Sequence, residues 1–289
     1  MNDYVNRNNT FFLLYRSHLF RAAPLRDFSQ SGTIRPMKLI EPSSQSFRRQ
    51  LAKPLAEMLE TYQLSEDRPV PGDASPPLLV ETFQQLFDAM QQTEVSLEND
   101  ESAQGGNQAS PEAVTELGEY ALELFDRSLH WANHLNLSMV LDSLQAFTIA
   151  MARWIALHGG QLLHLEPVVD ALARSANRTQ DPGELLALYQ AMGEILDAAA
   201  PVIRQDLEKT SPGRPWRILH LNRAIVATRT HQPDVMDEAF AILTEHLPEE
   251  AAGFFSQGME QMDLLNYPPH VREVIDRYYR KWSVKRSLH

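Results

Sequence analysis

The chain of 289 residues is 43% hydrophobic, contains no cysteine and carries a formal net charge of -12 at pH 7. The lack of cysteine excludes disulfides, thiolate metal sites and cysteine nucleophiles, and we expect a reducing compartment, the cytoplasm. The negative charge opposes binding to nucleic acid and to anionic membranes. No run approaches the roughly 18 apolar residues of a transmembrane helix, so the sequence predicts a protein that spans no membrane.

The first 36 residues differ in charge from the rest of the chain. They contain five arginines and two aspartates, which gives a net charge of +3 against -15 for the remainder. Such an arginine-rich segment is typical of a targeting peptide, but it lacks a sustained apolar stripe at helical spacing. We therefore interpret residues 1–36 as a disordered arm, or as sequence upstream of a true start at Met37.

An N-terminal helical arm is predicted over residues 37–98. Apolar residues recur at helical spacing over 46–62 and 78–90, and the intervening 65–77 has the proline and glycine content of a linker. From residue 91 the sequence turns polar and acidic, and we predict a flexible acidic linker over 99–110.

The main helical domain is predicted over residues 111–289. Ser110 as an N-cap and Pro111 at the first helical position mark its start, and a helix over 111–135 has an apolar stripe opposite an acidic face. A helix over 138–157 is apolar on most sides, which indicates a central position surrounded by other helices. Further helices are predicted near the end of the chain, over about 249–265 and 269–282.

A weak internal repeat lies in the second half of the chain. The segment 178–182 (Arg-Thr-Gln-Asp-Pro) recurs with an offset of 51 residues as 229–233 (Arg-Thr-His-Gln-Pro). The repeat fits two similar helical hairpins, so we predict an all-α fold of stacked antiparallel helical hairpins. In general shape this resembles a tetratricopeptide-like or other α-solenoid array, although no consensus pattern of those families is matched. A compact orthogonal helical bundle is the alternative.

Three residues of the helix over 111–135 form the best metal-binding candidate. His130 and His134 have the i, i+4 spacing that places two imidazoles on one face, and Asp126 lies one turn earlier. That face is the polar one, no glutamate follows His130 as in a zinc-protease helix, and exposed histidines lack the supporting contacts that fix a ligand. We therefore interpret the three as solvated side chains and predict no metal, no cofactor and no catalytic residue.

Two further histidines, His164 and His220, are each flanked by leucines at corresponding places of the two repeats. They could form a site between hairpins, but no neighbouring nucleophile or acid completes a catalytic triad. We interpret both as histidines at the edge of the core.

The C-terminal helix ends in a basic and aromatic stretch. Its partner-binding candidates are Arg280, Lys281, Lys285 and Arg286. The helix dipole is by itself enough to stabilise cations at a helix C-terminus. We therefore interpret these four residues first as helix-capping cations, second as a contact with a protein partner and last as a contact with nucleic acid.

The function predicted from these features is non-enzymatic protein binding, as in an adaptor. Stacked hairpins create concave surfaces, and phosphate loops, dinucleotide fingerprints and calcium loops are missing from the sequence. The alternative is an all-helical enzyme or ligand-binding protein, which would need a pocket between helices with converging titratable groups. A third alternative is self-assembly into a homo-oligomer through the central apolar helices.

Overall fold

The computed structural model describes residues 39–65, 75–100, 110–205 and 213–286. Within these residues the chain forms eleven helices and no β-strand, which confirms the all-α class. In chain order they are α1 (Ser44–Leu64), α2 (Pro76–Asp100), α3 (Pro111–His134), α4 (Ser138–Leu157), α5 (Glu166–Arg178), α6 (Pro182–Asp197), α7 (Pro201–Arg204), α8 (Pro215–Arg229), α9 (Pro233–His246), α10 (Pro248–Leu265) and α11 (Pro269–Arg286). The predicted arm over 1–36 and nearly all of the predicted linker over 99–110 lie outside the described residues.

Local sequence signals set several helix ends. The Ser110 hydroxyl accepts a hydrogen bond from the backbone N–H of Ala113, as an N-cap does, and Pro111 follows it. A proline likewise occupies the first or second position of α7, α8, α9 and α10, where its missing N–H costs no helical hydrogen bond. After α4, Gly159 adopts a positive φ of 78°, a conformation that favours glycine and ends the helix.

Contacts between Cα atoms divide the chain into two compact units. The bundle unit is Leu39–Leu172 together with Glu194–Gln205, and the hairpin unit contains, of the described residues, Ala173–Gly193 and 213–286. This division differs from the one inferred from composition, which separated an arm over 37–98 from a main domain over 111–289. The reason is that α1 and α2 bury their apolar stripes against α3 and α4, whereas linker composition reports only on the connecting segments.

Helices α1 to α4 form a four-helix bundle within the bundle unit. Helix α1 contacts α2 and α4, and α3 contacts the same two helices, so the four close into a ring. Each helix contributes phenylalanine to the centre, where neighbouring ring centroids lie 5.0–6.3 Å apart. We call this group the phenylalanine cluster: Phe47, Phe83, Phe87, Phe125 and Phe147, all at most 3% exposed. These rings form the core of the bundle unit.

Helix α4 is, among the described residues, the one helix long and apolar enough to cross a membrane. More than half of its apolar stretch is buried within the protein, where it contacts α1 and α3. Its composition is therefore accounted for by the central position that the sequence predicted.

Helices α3 and α4 approach closely at Gly118. A Cβ atom added at this glycine would overlap the Ile155 side chain, which is fully buried. We expect Gly118→Ala to lower the free energy of unfolding by about 1–3 kcal/mol, because the two helices must move apart. Urea unfolding followed by circular dichroism measures the change, and Gly253→Ala, where an added Cβ meets nothing within 4 Å, is the control. Equal stability of Gly118→Ala and the wild type would contradict the close approach.

In the hairpin unit, α9 contacts α8, α10 and α11, and α10 pairs with α11. The aromatic rings of Phe240, Phe254, Phe255 and Tyr278 meet there with centroids 5.1–5.9 Å apart. Helix α9 thus supplies the ring, Phe240, around which α10 and α11 pack.

The internal repeat corresponds to two similar helix–turn–helix connections. Thr179 follows the end of α5 and Thr230 follows the end of α8, and each hydroxyl accepts a hydrogen bond from the backbone N–H two residues later. A proline then starts the next helix, α6 or α9. The two turns therefore share the threonine hydrogen bond and the proline that follows it.

The turns of the hairpin unit contact one another. The Arg229 guanidinium donates to the carbonyl oxygens of Ala176 (2.7 Å) and Thr179 (2.6 Å), so the second turn caps the end of α5. The Tyr267 ring, before α11, lies 5.3 Å from the His231 ring of the second turn. The turns between α5 and α6, between α8 and α9 and between α10 and α11 are thus adjacent within this unit.

Candidate functional site

A cleft of about 390 Å³ opens at one end of the bundle unit. Its lining comes from the end of α4 and the residues after it, and from the end of α6, the segment that follows it and the last residue of α7: Ala156, Leu157, Gly159, Gly160, Gln161, Glu194, Asp197, Ala198, Ala199 and Arg204. Half of these ten residues are alanine or glycine, so small side chains contribute to the open space of the cleft.

Backbone pairing holds the two sides of the cleft together. Leu162 donates its N–H to the Ala198 carbonyl (2.8 Å), and the Ala200 N–H donates to the Leu162 carbonyl (3.0 Å). The two segments form a parallel bridge of one residue pair between Leu162 and Ala199, both of which are buried. The shape of the cleft is therefore fixed by hydrogen bonds and not by side-chain packing alone.

The first turns of α3 support the segment after α4. The Gln161 N–H donates to the Thr115 hydroxyl (2.9 Å). The Glu119 carboxylate accepts from the Leu163 N–H (2.7 Å) and lies 2.6 Å from Nδ1 of His164. The sequence pattern places Glu119 on the acidic face of α3. In the structure its carboxylate holds the segment beside the cleft in place.

An ion pair lies under the other side of the cleft. The Arg153 guanidinium donates to both carboxylate oxygens of Glu194, at 2.6 and 3.2 Å. The two side chains are 19% and 32% exposed, so solvent screens the pair only in part. Glu194 is consequently engaged, whereas the Asp197 side chain, one turn later, is exposed.

Three large apolar side chains are exposed around this end of the bundle unit. We call them the cleft rim: Leu157 (57% exposed), which lines the cleft, Leu163 (44%), next to the bridge residue Leu162, and Val202 (63%), in α7. Covering exposed apolar surface of this kind with a partner contributes favourable free energy.

The three metal candidates on α3 all lie at the surface. The side chains of Asp126, His130 and His134 are exposed. In the part of the chain that the structure describes, no group of three or more His, Asp or Glu side chains is arranged to hold a metal ion. The His134 ring packs edge-on against Trp131, with centroids 6.0 Å apart.

Of the four C-terminal candidates, the structure describes the side chains of two. Arg280 pairs with Asp276 on the same helix (2.6 Å), and Lys281 is exposed. The side chains of Lys285 and Arg286 lie outside the described residues. Since Arg277 also pairs with Asp237, acidic side chains of the hairpin unit neutralise part of the positive charge of α11.

The two leucine-flanked histidines occupy different structural positions. The His164 side chain is 79% exposed and precedes α5, whereas His220 lies inside α8 and is 5% exposed. The prediction that both occupy corresponding places of the two repeats is therefore wrong, and His164 does not lie at the edge of the core. The shared pattern Leu-His-Leu does not distinguish a segment that precedes a helix from the middle of a helix.

Helix α8 carries charged side chains into the core of the hairpin unit, which the sequence pattern did not reveal. Arg217 is 1% exposed and pairs with Glu249 (2.7 Å) and Glu250 (2.9 Å). The Arg223 guanidinium lies 4.1 Å from the centre of the Tyr189 ring. It also pairs with Glu238 at 3.1 Å. A helix with buried residues on every face gives no amphipathic signal from which its orientation could be read.

Burial and neighbouring charges shift the pKa values of His220 and Tyr189 in the hairpin unit. Burial, followed by the adjacent His246 and Arg223, lowers the pKa of His220 from 6.5 to about 3, so this imidazole is neutral at pH 7. Burial and the neighbouring Glu238 raise the pKa of the Tyr189 phenol, which stays protonated. Both groups are thus held in their uncharged forms.

Comparison of the chain with protein-family models, with curated proteins and with solved structures finds no match. Functional inference therefore depends on the geometry of the two units.

Proposed function

We propose that this chain is a non-enzymatic protein-binding module in which the cleft and its rim receive a segment of a protein partner. The observation that carries the proposal is the exposure of Leu157 in a cleft whose two sides are joined by backbone hydrogen bonds, with Leu163 and Val202 exposed on the chain segments that form those sides. Covering apolar surface contributes about 25 cal/mol per Å². A preformed site also loses little conformational entropy when it binds.

The adjacent turns of the hairpin unit support a solenoid-like interpretation of that unit. Arg229 of the second turn caps α5 before the first turn, and Tyr267 of the third packs on His231 of the second. In a stacked array each hairpin contacts its neighbours in this way. We therefore propose that the hairpin unit is a short array of helical hairpins, as its repeat suggests.

The ligand-binding alternative has less support. Converging titratable groups are present in the hairpin unit, but Arg217 and Arg223 have carboxylate partners and Arg229 has carbonyl partners, so these guanidinium groups are already engaged within the unit. The cleft of the bundle unit, in contrast, is open, and its Glu194 is already paired with Arg153. We also retain the expectation that the protein acts in the cytoplasm, given its lack of cysteine.

Site-specific photo-cross-linking tests the proposal. A benzophenone amino acid replaces Leu163 in the full chain, which leaves the backbone hydrogen bond to Glu119 intact. The same amino acid replaces Leu264, which is 74% exposed in the hairpin unit, as the control. The cross-linking is done in the cells in which the protein occurs naturally. We expect one defined protein adduct from position 163 and no adduct of that mass from position 264.

A second variant links the adduct to the cleft rim. The substitutions Leu157→Ser and Val202→Ser are added to the chain that carries the benzophenone amino acid at position 163. We expect about tenfold less adduct, because both side chains are exposed in the free protein and contribute free energy only when a partner binds. An adduct that forms equally from both positions, or that survives the two serine substitutions, would contradict the proposal.

A further inference from the structure

We propose that residues 11–15 of this chain occupy its own cleft when no partner is bound, so that a protein partner must displace them. This inference rests on the proposed function and adds a competitor for the same site. The place where the described chain enters the bundle unit and the direction of Leu157 both favour this occupant.

The described chain enters the bundle unit at the end that holds the cleft. Its first helix, α1, begins at Ser44, whose backbone N–H donates to the Glu94 carboxylate at 2.8 Å. The same carboxylate accepts from the Trp154 indole N–H at 2.8 Å, so the start of α1 lies beside the end of α4. Ala156 and Leu157, which line the cleft, follow Trp154 within one helical turn. Residues 1–38 therefore join the described chain at the cleft end of the bundle unit.

The Leu157 side chain points between the cleft and the entry of the chain. At 100° per residue, its direction on α4 differs by about 40° from that of Arg153 and by about 60°, to the other side, from that of Trp154. Arg153 pairs with Glu194, which lines the cleft, whereas Trp154 bonds to the carboxylate that also holds the start of α1. Among the described residues Leu157 is 57% exposed. A segment that runs from α1 into the cleft therefore covers Leu157.

The sequence before residue 39 contains an apolar run that matches this position. Residues 11–15 are Phe-Phe-Leu-Leu-Tyr, preceded by asparagine and threonine and followed by arginine. Leu157 and the alanines of the cleft lining provide apolar surface against which such a run is buried. Because the charged residues that line the cleft carry both signs, apolar contact and not net charge selects the occupant. An extended chain from residue 15 to residue 39 spans up to about 80 Å, so its length does not limit the contact.

Attachment to the same chain makes this run an effective competitor. A segment tethered close to its site has an effective concentration on the order of 1 mM. Weak apolar contact therefore suffices to keep the cleft occupied, and a separate partner must bind more tightly to displace the run.

Pairs of introduced cysteines test the proposal in the full chain, which contains no cysteine of its own. One pair is Thr10→Cys, beside the apolar run, with Gln161→Cys, an exposed residue that lines the cleft. The control pair combines Thr10→Cys with Glu260→Cys, an exposed position of α10. At low protein concentration, a short bismaleimide should link the first pair within one chain at least tenfold faster than the control pair.

Substitutions within the apolar run identify the contact. Phe12→Ser with Leu14→Ser, in the chain that carries the first cysteine pair, should slow the cross-link about tenfold, because apolar contact with the cleft is lost. Leu19→Ser with Phe20→Ser makes a similar change of composition outside the run and should leave the rate unchanged. Equal rates for the two cysteine pairs, or equal slowing by both double substitutions, would overturn the proposal. A cross-linked dimer in place of the intramolecular product would also overturn it, since the cleft would then hold the segment of a second copy.

Photo-cross-linking from position 163 separates this inference from the proposed function. In the full chain, Phe12→Ser with Leu14→Ser should increase the partner adduct about tenfold, because the competing run is weakened. If these substitutions leave the partner adduct unchanged and the two cysteine pairs react alike, the proposed function stands and residues 11–15 do not occupy the cleft. If the first cysteine pair reacts faster and no chain yields a partner adduct, residues 11–15 occupy the cleft and the proposed function fails.

Discussion

Replacing Phe125 by alanine is expected to lower the free energy of unfolding of the bundle unit by about 3–5 kcal/mol. The Phe125 ring is fully buried, and its centroid lies 5.0 Å from that of Phe83 and 6.0 Å from that of Phe147. Its removal leaves a cavity between helices, and the remaining rings lose their contacts on one side. Urea unfolding of the full chain measures the loss, followed by tryptophan fluorescence, to which Trp131 and Trp154 of this unit contribute.

Tyr120→Ala on the same helix serves as the matched control. Its ring is 47% exposed, so its loss should change the free energy of unfolding by less than about 1 kcal/mol. Losses of equal size in the two variants would show that Phe125 does not lie in a packed core.

Phe125 also illustrates the limit of reading a helical face from sequence. The apolar stripe that helical spacing predicts for this helix contains neither Phe125 nor Gly118; its residues are Leu117, Ala121, Leu124, Trp131 and Leu135. In the structure Leu117 is half-buried, while Phe125 and Gly118 are buried. The pattern predicted the helix and its ends correctly, but the contacts with α2 and α4 determine which side of an amphipathic helix is innermost.

Helix α2 shows a second limit, in its length. The apolar stripe ends at Met90, yet the helix continues to Asp100. Glu94, in the polar extension, accepts hydrogen bonds from the Trp154 indole N–H (2.8 Å) and the Ser44 backbone N–H (2.8 Å). The Glu94 carboxylate thus stabilises the polar end of α2 by accepting hydrogen bonds from α4 and α1. The spacing of apolar residues cannot predict a contact of this kind.

The cleft could not be predicted, for a related reason. In sequence, Leu157 ends a helix that is apolar on most sides and Leu163 follows another leucine, so nothing in the pattern distinguishes either from a core residue. Exposure depends on what packs against a residue, and the segments that meet here are more than thirty residues apart in the chain. The exposed positions of His130, His134 and Asp126, in contrast, follow from the polar face of one helix.

Lowering the pH from about 7 to about 5 is expected to reduce the free energy of unfolding by about 2 kcal/mol through His220 alone. The imidazole is 5% exposed, its ring centroid is 4.5 Å from that of Trp216 and 4.8 Å from that of His246, and its pKa is about 3 in the folded chain. Because the folded pKa is below the ordinary value of 6.5, the unfolded chain binds the proton first. The stabilisation is therefore complete above pH 6.5 and is lost as the pH falls towards 3, by up to about 1.4 kcal/mol per pH unit.

The comparison of urea unfolding curves for the wild type and His220→Gln isolates this contribution, since every other titrating group is common to both proteins. The glutamine variant should lose about 2 kcal/mol less between the two pH values. If that variant does not fold, proton NMR of the wild type decides the question, because the ring resonances of His220 should not titrate between pH 7 and 4. A midpoint near 6.5 in the folded protein would show that His220 is hydrated and that its contacts with Trp216 and His246 leave the imidazole free to ionise.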